Sequence, residues 1–449
     1  MRFKRRGATP APQFARNRPP RVQIRSLRSL HDLEHSSAES LWVSSVLALD
    51  LDGSIEEREV RTPMVRISFV VNGFVVGGIQ RSVARIVNGL DVSRFECSII
   101  SLTDDLSAAG WITNPTVRVV TLGKRAGNDI GVAVRLARVL RTLRPRIVQS
   151  HNWGTLVETV CARRIAGVPV HIHAERGTVG AHNWSPGWRT SIRRIVMRLA
   201  LETVDVAMTN AESVAKRLCE CCGYLQSRMI VIPNGLDVRT SNGDHAERSK
   251  TRRTIGARDD DIVVGSIGRL DPVKGFDMAV DAVRMLRAHR SDVHFVVIGD
   301  GPMREQLSAK VREAECASYV HLVGHHDDVE TWLRAMDVYV NTSISEGMSQ
   351  SILEAMAIGL PMIVTDVGDN ARLVGGPEPC GLVVPPNCKG VLAWAMNWVA
   401  ASVRVREELG RSALRRYREN YTASRMLERF SHLYGGLEAG IASGPCQQH

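Results

Sequence analysis

The sequence predicts an α/β protein built of two doubly wound domains that face each other across a cleft. Three observations lead there. From Met64 onward, apolar strand-like runs alternate with amphipathic helical runs, the pattern of a parallel sheet covered on both faces. The alternation occurs twice, on either side of a polar, charged stretch at 239–261. The chain of 449 residues is long enough for two cores of ordinary size.

In the first domain, 64–238, residues 67–71 read as a buried strand, followed by a turn at Gly77-Gly78 and a helix over 79–89. Strands follow at 97–102, 117–122, 147–150, 170–173, 205–208 and 229–232, with a helix over 129–143 that Pro145 ends. Pro233-Asn-Gly-Leu-Asp237 is a turn cluster, and 239–261 reads as a linker. The second domain, 262–415, has strands at 262–267, 293–298, 320–323, 338–341, 361–365 and 381–384. The remainder, 391–437, is mostly helical, and 416–449 holds a last helix and a tail.

Composition sets the class. Hydrophobic residues make up 44%, as in ordinary globular proteins. No apolar run approaches the roughly 20 residues of a membrane helix; the best, 41–51, is short and broken by serines and Asp50. Nothing resembles a signal peptide. Nine cysteines suit a reducing, cytoplasmic compartment. Cys219, Cys221 and Cys222 cluster without a second ligand pair, and His321, His325 and His326 read as a strand end and a loop, so no metal is expected. The net charge is +11, and residues 1–28 carry nine Lys/Arg and no Asp/Glu. The stretch 1–63 reads as a solvated basic extension. It either contacts anionic lipid head groups at a membrane surface or precedes the natural start, since Met64-Val-Arg-Ile-Ser-Phe-Val-Val opens like a first core strand. The charge permits a nucleic-acid or membrane partner but speaks to partners and not to fold, and no nucleic acid is expected.

Glu346-Gly-Met-Ser-Gln-Ser-Ile-Leu-Glu354 sets two carboxylates on a loop and the helix after it. Glu346 belongs to the loop and Glu354 lies about a turn and a half into the helix, too far away to share a proton. Between them, free N–H groups near Met348 to Gln350 face an anion. Carboxylate, anion cradle and carboxylate suit a sugar, a diphosphate and a ribose. Acidic residues near helix starts also serve simply to complement the dipole.

Gly268-Arg-Leu-Asp-Pro-Val-Lys-Gly275 follows the first strand of the second domain. Arg269 can fork to two phosphate oxygens and Lys274 adds a mobile point charge, while Gly268 and Gly275 let the backbone turn closely around a ligand. Fixed cations there stabilise the charge that grows on a leaving phosphate and can replace a divalent metal. Asp50-Leu-Asp52 looks like an acidic metal pair but lies in the extension.

Gly-Arg-Leu-x-x-x-Lys-Gly followed by Glu-x7-Glu resembles the retaining glycosyltransferases of family 4 (group 1), with supporting matches at Gly77-Gly78, Ile232-Pro-Asn-Gly-Leu-Asp237, Gly299-Asp-Gly-Pro302 and Glu354-Ala-Met-Ala-Ile-Gly-Leu-Pro361. The likeness runs from about residue 64 to 437. It implies the GT-B fold, two facing Rossmann-like doubly wound domains, with 262–415 binding a nucleoside-diphosphate-sugar and 64–238 on the side of a glycan or lipid-linked saccharide acceptor. It implies that Arg269 and Lys274 hold the diphosphate, that Glu346 contacts the sugar hydroxyls with Gly347, Met348 and Ser349 nearby, and that Glu354 binds the ribose. Val323 and His325 would lie near the base, and Gly78 would let the first loop approach the phosphates. The last helix would cross back onto the first domain. No cofactor is implied beyond the nucleotide-sugar co-substrate.

Relatives place a histidine, sometimes an aspartate, near the anomeric carbon. In His171-Ile-His-Ala-Glu-Arg-Gly177 the candidate is His173, with His151 as the other; Glu175 and Arg176 equally suit the acceptor side. Alternatives are a nucleotide-sugar epimerase on the same fold, a nicotinamide oxidoreductase, and a non-catalytic basic protein. The glycine spacing at Gly73, Gly77 and Gly78 is wrong for the second of these.

Overall fold

A computed structural model describes residues 64–127, 129–177, 187–238 and 245–442. The basic extension, Asp50-Leu-Asp52 and the start of the linker lie outside the described residues. The first half runs β1 (Val65–Val71), α1 (Gly78–Gly89), β2 (Phe95–Ser101), β3 (Arg118–Thr121), α2 (Gly131–Leu143), β4 (Ile147–His151), α3 (Trp153–Ala166), β5 (Val170–Glu175), α4 (Trp188–Leu201), β6 (Val206–Thr209), α5 (Glu212–Cys222) and β7 (Met229–Val231). Its sheet is parallel throughout, in the order β3-β2-β1-β4-β5-β6-β7.

The second half runs α6 (His245–Thr254), β8 (Ile262–Ile267), α7 (Phe276–Arg287), β9 (Val293–Ile298), α8 (Arg304–Glu313), β10 (Val320–Gly324), α9 (Val329–Ala335), β11 (Val338–Asn341), α10 (Gln350–Ile358), β12 (Met362–Thr365), α11 (Asn370–Val374), β13 (Gly381–Val384) and α12 (Lys389–Ala400). Its parallel sheet is ordered β10-β9-β8-β11-β12-β13. Central strands such as β4, β9 and β12 are buried along their whole length, as expected where helices cover both faces.

Helices α13 (Val403–Asn420) and α14 (Ala423–Ala442) close the chain. α14 returns to the first half, where Met426, Phe430 and Tyr434 enter its core and Tyr434 Oη donates to Gln149 Oε1 at 2.7 Å. The two crossings run side by side. Leu236 N donates to Tyr421 O (3.1 Å), Ala423 N to Leu236 O (3.1 Å), and Tyr417 Oη to Leu236 O (2.6 Å). A Cβ on Gly235 would lie 2.3 Å from Thr422 O, so only glycine admits the second crossing there.

The stretch read as a linker carries α6. Its sequence is polar, and it is fixed by charge: Arg248 and Arg252 reach Asp337 at 2.7 and 3.0 Å, and Asp337 also accepts from Val263 N at 2.8 Å. Arg252 is buried.

Candidate active site

In both sheets the strand order reverses beside the first strand, between β1 and β4 and between β8 and β11. Crevices at such switch points, beyond the carboxyl ends of the strands, are where open α/β sheets bind ligands. Gly77-Gly78 follows β1, Asn152 follows β4, the Arg269–Lys274 loop follows β8 and the Glu346 loop follows β11. The chemistry-bearing loops therefore flank the two switch points.

In the second half, Lys274 Nζ stands 2.5 Å from Glu346 Oε1, which also accepts from Ser343 Oγ at 2.7 Å. Arg269 is exposed, and its side chain has no ion pair among the described residues. Its loop is braced by the Gly299-Asp-Gly-Pro302 turn, through Leu270 N to Asp300 O (3.0 Å) and Met303 N to Leu270 O (2.9 Å). Gly275, at φ +62°, also serves a protein contact: its Cβ would meet Thr342 O at 2.3 Å. Thr342 Oγ1 in turn donates to Lys274 O at 2.8 Å, which locks the β8 and β11 loops together.

Ser349 takes the N-cap position of α10 in extended backbone and makes no side-chain cap. Its hydroxyl is instead 3.3 Å from Asn341 Nδ2 and 3.1 Å from Ser351 Oγ. The first-turn N–H groups of α10 thus have no side-chain cap, and the Gln350 side chain of that turn faces Gly78, whose Cβ would sit 3.5 Å from Gln350 Nε2. Gln350 Nε2 donates to Gly78 O at 3.3 Å across the halves.

Glu354 lines a cavity of about 460 Å³ together with Arg81, Arg85, Asp237, Asp327 and Glu330. Burial pushes its carboxyl up, while Arg81 and Arg85 pull it back down. Sequence reasoning missed these two arginines. They lie four residues apart on one face of α1, directly after Gly77-Gly78, and that spacing was the available signal. Arg85 also donates to Gly235 O (3.4 Å) and Gln350 Oε1 (3.5 Å). His325 is exposed beside this cavity and pairs with Asp327 at 3.3 Å, and Val323 packs half-buried on the core. A larger cavity, about 580 Å³, runs along α14; of the motif residues it holds Asp237 alone, and none of the Arg269, Lys274, Glu346 and Glu354 set.

On the facing half, His173 is enclosed within the sheet at 1% exposure. Its Nδ1 is 2.8 Å from Ser150 Oγ, which also bonds His171 Nε2 at 2.8 Å, and its Nε2 is 3.6 Å from Glu175 Oε2. Neither that Nε2 nor Glu175 Oε2 has a hydrogen-bond partner among the described residues. His151 is buried too, with Nδ1 3.2 Å from Val70 O and burial holding it well below the usual imidazole range. Glu175 ends β5 and so lies nearer the crevice than either histidine. Arg176 turns inward: it donates to Ser82 Oγ, lies over the Phe430 ring at 5.6 Å, and is pushed down to about 10 by burial.

The halves are clasped where these parts meet. Asp369 accepts from Glu212 N (3.0 Å) and Ser213 N (2.8 Å) at the start of α5, and its own N–H donates to Gly347 O (3.0 Å). Arg372 pairs with Glu212 at 3.1 Å. Gly347 faces Val214, 3.1 Å from its would-be Cβ, and Met348 Sδ accepts from Asn234 N at 3.2 Å. The described cysteines are all free thiols, and no group of three metal-ligating side chains occurs among the described residues.

Residues 76–240 match the family model described as Glycosyltransferase Family 4, and residues 261–402 match that of Glycosyl transferases group 1. The chain belongs to this glycosyltransferase family. It is an enzyme of the hexosyltransferase type, with the GT-B fold that the motifs imply. A putative glycosyltransferase EpsF of Bacillus subtilis is 24% identical over 67% of this chain and 79% of its own length. A UDP-Gal:alpha-D-GlcNAc-diphosphoundecaprenol alpha-1,3-galactosyltransferase of Escherichia coli is 26% identical over 69% and 81%. Anabaena HepE in complex with UDP and glucose superposes with a TM-score of 0.70, at 18% identity, covering 83% of this chain and 99% of that one.

Proposed function

We propose that the protein moves a sugar from a nucleoside-diphosphate-sugar to a hydroxyl of a glycan or lipid-linked saccharide, with retention at the anomeric carbon and without a metal ion. The observation that carries this reading is the Lys274–Glu346–Ser343 cluster at the second switch point, with Arg269 exposed on the same loop and Glu354 on α10. Lys274 and Arg269 would meet the diphosphate, aided by the N–H groups at the start of α10. Glu346, with Gly347, Met348 and Ser349 around it, would hold the sugar hydroxyls, and Glu354 the ribose. The relatives' own names support a nucleotide-sugar donor: UDP and glucose for HepE, UDP-Gal for the Escherichia coli enzyme. The latter's diphosphoundecaprenol substrate supports a lipid-linked acceptor.

As the bond from the anomeric carbon to the phosphate oxygen breaks, the acceptor oxygen bonds to that carbon on the same face. Its proton passes to the departing phosphate. Charge growing on the phosphate is met by cations already in place, which lowers the barrier more than it tightens ground-state binding. Front-face attack fits Glu346, whose Oε1 is engaged by Lys274 and Ser343. Glu175, at the end of β5, would orient the incoming hydroxyl, and His173, buried 3.6 Å behind it, would act towards the anomeric carbon through that carboxylate.

A thermal-shift screen of nucleoside diphosphates and their sugar conjugates would rank base and sugar through ligand-linked stabilisation. The expected result is a rise in Tm with one nucleoside diphosphate and its sugar conjugate, abolished by Lys274→Ala. Absence of any shift, or an isomerised donor formed without acceptor, would overturn the assignment in favour of another class.

A further inference from the structure

Helix α4 carries an apolar stripe that no other part of the described chain covers. Its inner face, Met197, Ala200 and Leu201, is buried in the first half. On the opposite face Trp188, Ile192, Ile195 and Leu199 are 70%, 51%, 59% and 62% exposed. These positions recur every three to four residues, so they form one line along about 17 Å of helix. The helix has four arginines and no acidic residue. At about 100° per residue, Arg189 falls on one flank of the line and Arg198 on the other, while Arg193 and Arg194 lie further round towards the inner face, Arg193 5.8 Å over the Trp153 ring. Arg189 lies 5.3 Å over the Trp188 ring, which keeps its charge beside the apolar edge.

We propose that α4 seats the enzyme on an anionic lipid surface. An aliphatic and indole stripe bordered by guanidinium groups on both sides is the pattern of a helix lying in a membrane interface, with the apolar line among acyl chains and the arginines at the head groups. The charge argues against a second copy of the chain as the occupant, because a two-fold pairing of this face would set arginines against arginines with no carboxylate on the helix. The placement adds a reason. β5 ends at the crevice, and α4 runs back antiparallel to the strands, so its Trp188 end lies at the crevice edge. A membrane under α4 would thus lie beside the mouth of the site. The inference stands apart from the donor chemistry.

The full chain would be sedimented with vesicles of phosphatidylcholine containing phosphatidylglycerol, and with phosphatidylcholine alone. Trp188→Ser, Ile195→Ser and Leu199→Ser combined should lower partition onto the anionic vesicles by about tenfold or more, with Tm unchanged because all three side chains are exposed. Arg189→Gln with Arg198→Gln should weaken binding and flatten its salt dependence. The basic residues at 1–28 are present in every variant, so they cancel in the comparison. Vesicle binding retained by the triple variant, or equal binding of the wild-type chain to phosphatidylcholine alone, would overturn the proposal. So would a wild-type dimer that the triple substitution converts to monomer without any vesicle binding.

Discussion

Lys274 and Glu346 come from loops 72 residues apart and meet at 2.5 Å, with Ser343 on the same carboxylate oxygen. Both side chains are partly exposed, so the pair adds only about 1 kcal/mol to stability. Its larger effect is on geometry, because it fixes a cation where charge would develop. Lys274→Ala is therefore expected to lower kcat/KM about a hundredfold or more while Tm stays within a few degrees of wild type. Steady-state assays of nucleotide release, paired with melting curves, check this. Near-normal turnover would remove Lys274 from the chemistry.

Glu354 is pulled in two directions: burial favours its neutral form, and Arg81 and Arg85 favour the ionised one. If the carboxylate accepts from ribose hydroxyls, donor affinity falls as pH drops through its pKa. Arg85→Ala removes one of the opposing charges, so the pKa rises and the acid limb of donor binding moves to higher pH. Donor KM measured across the acidic range for wild type, Arg85→Ala and Glu354→Gln tests this. The Gln variant should have weak affinity and no limb in that region.

Gly235 is packed against Thr422 O where the two crossings run together. Gly235→Ala forces backbone apart at the strap that joins the halves, and the expected loss is about 2 kcal/mol or more. Denaturant melts would report the loss, and small-angle scattering should show a more open particle. Unchanged values in both would mean that the strap yields freely.

Asp337 answers two arginines, one of them buried, and a backbone N–H. Asp337→Ala leaves Arg252 buried without its carboxylate partner, at an expected cost of about 3–5 kcal/mol. Adding Arg252→Met should recover part of it. A double variant no more stable than the single one would assign the loss to Val263 N instead.

The sheets were legible because each strand is a short apolar run between turn signals, and the structure places strand ends within a few residues of those read. The loops that carry charge were legible for the same reason: they sit where strands stop. Helix α6 was not, because His245-Ala-Glu-Arg-Ser-Lys-Thr-Arg-Arg-Thr254 has no apolar stripe and is held by carboxylate contacts from a distant strand end. Arg81 and Arg85 were missed because their partners lie some 270 residues away, and no local pattern encodes a contact across the crevice. His173 and Glu175 share a face of β5, and sequence alone does not say how deep along the strand the crevice floor lies.

Asp369 holds the start of α5 with its carboxylate and the carbonyl of Gly347 with its amide. Any swing that separates the halves must break the first grip or drag on the second. Disengagement of the halves and slackening of the turn that bears Glu346 are thus mechanically one event, so an open, water-filled enzyme is also one whose reactive geometry has relaxed, a built-in guard against wasting activated substrate on solvent.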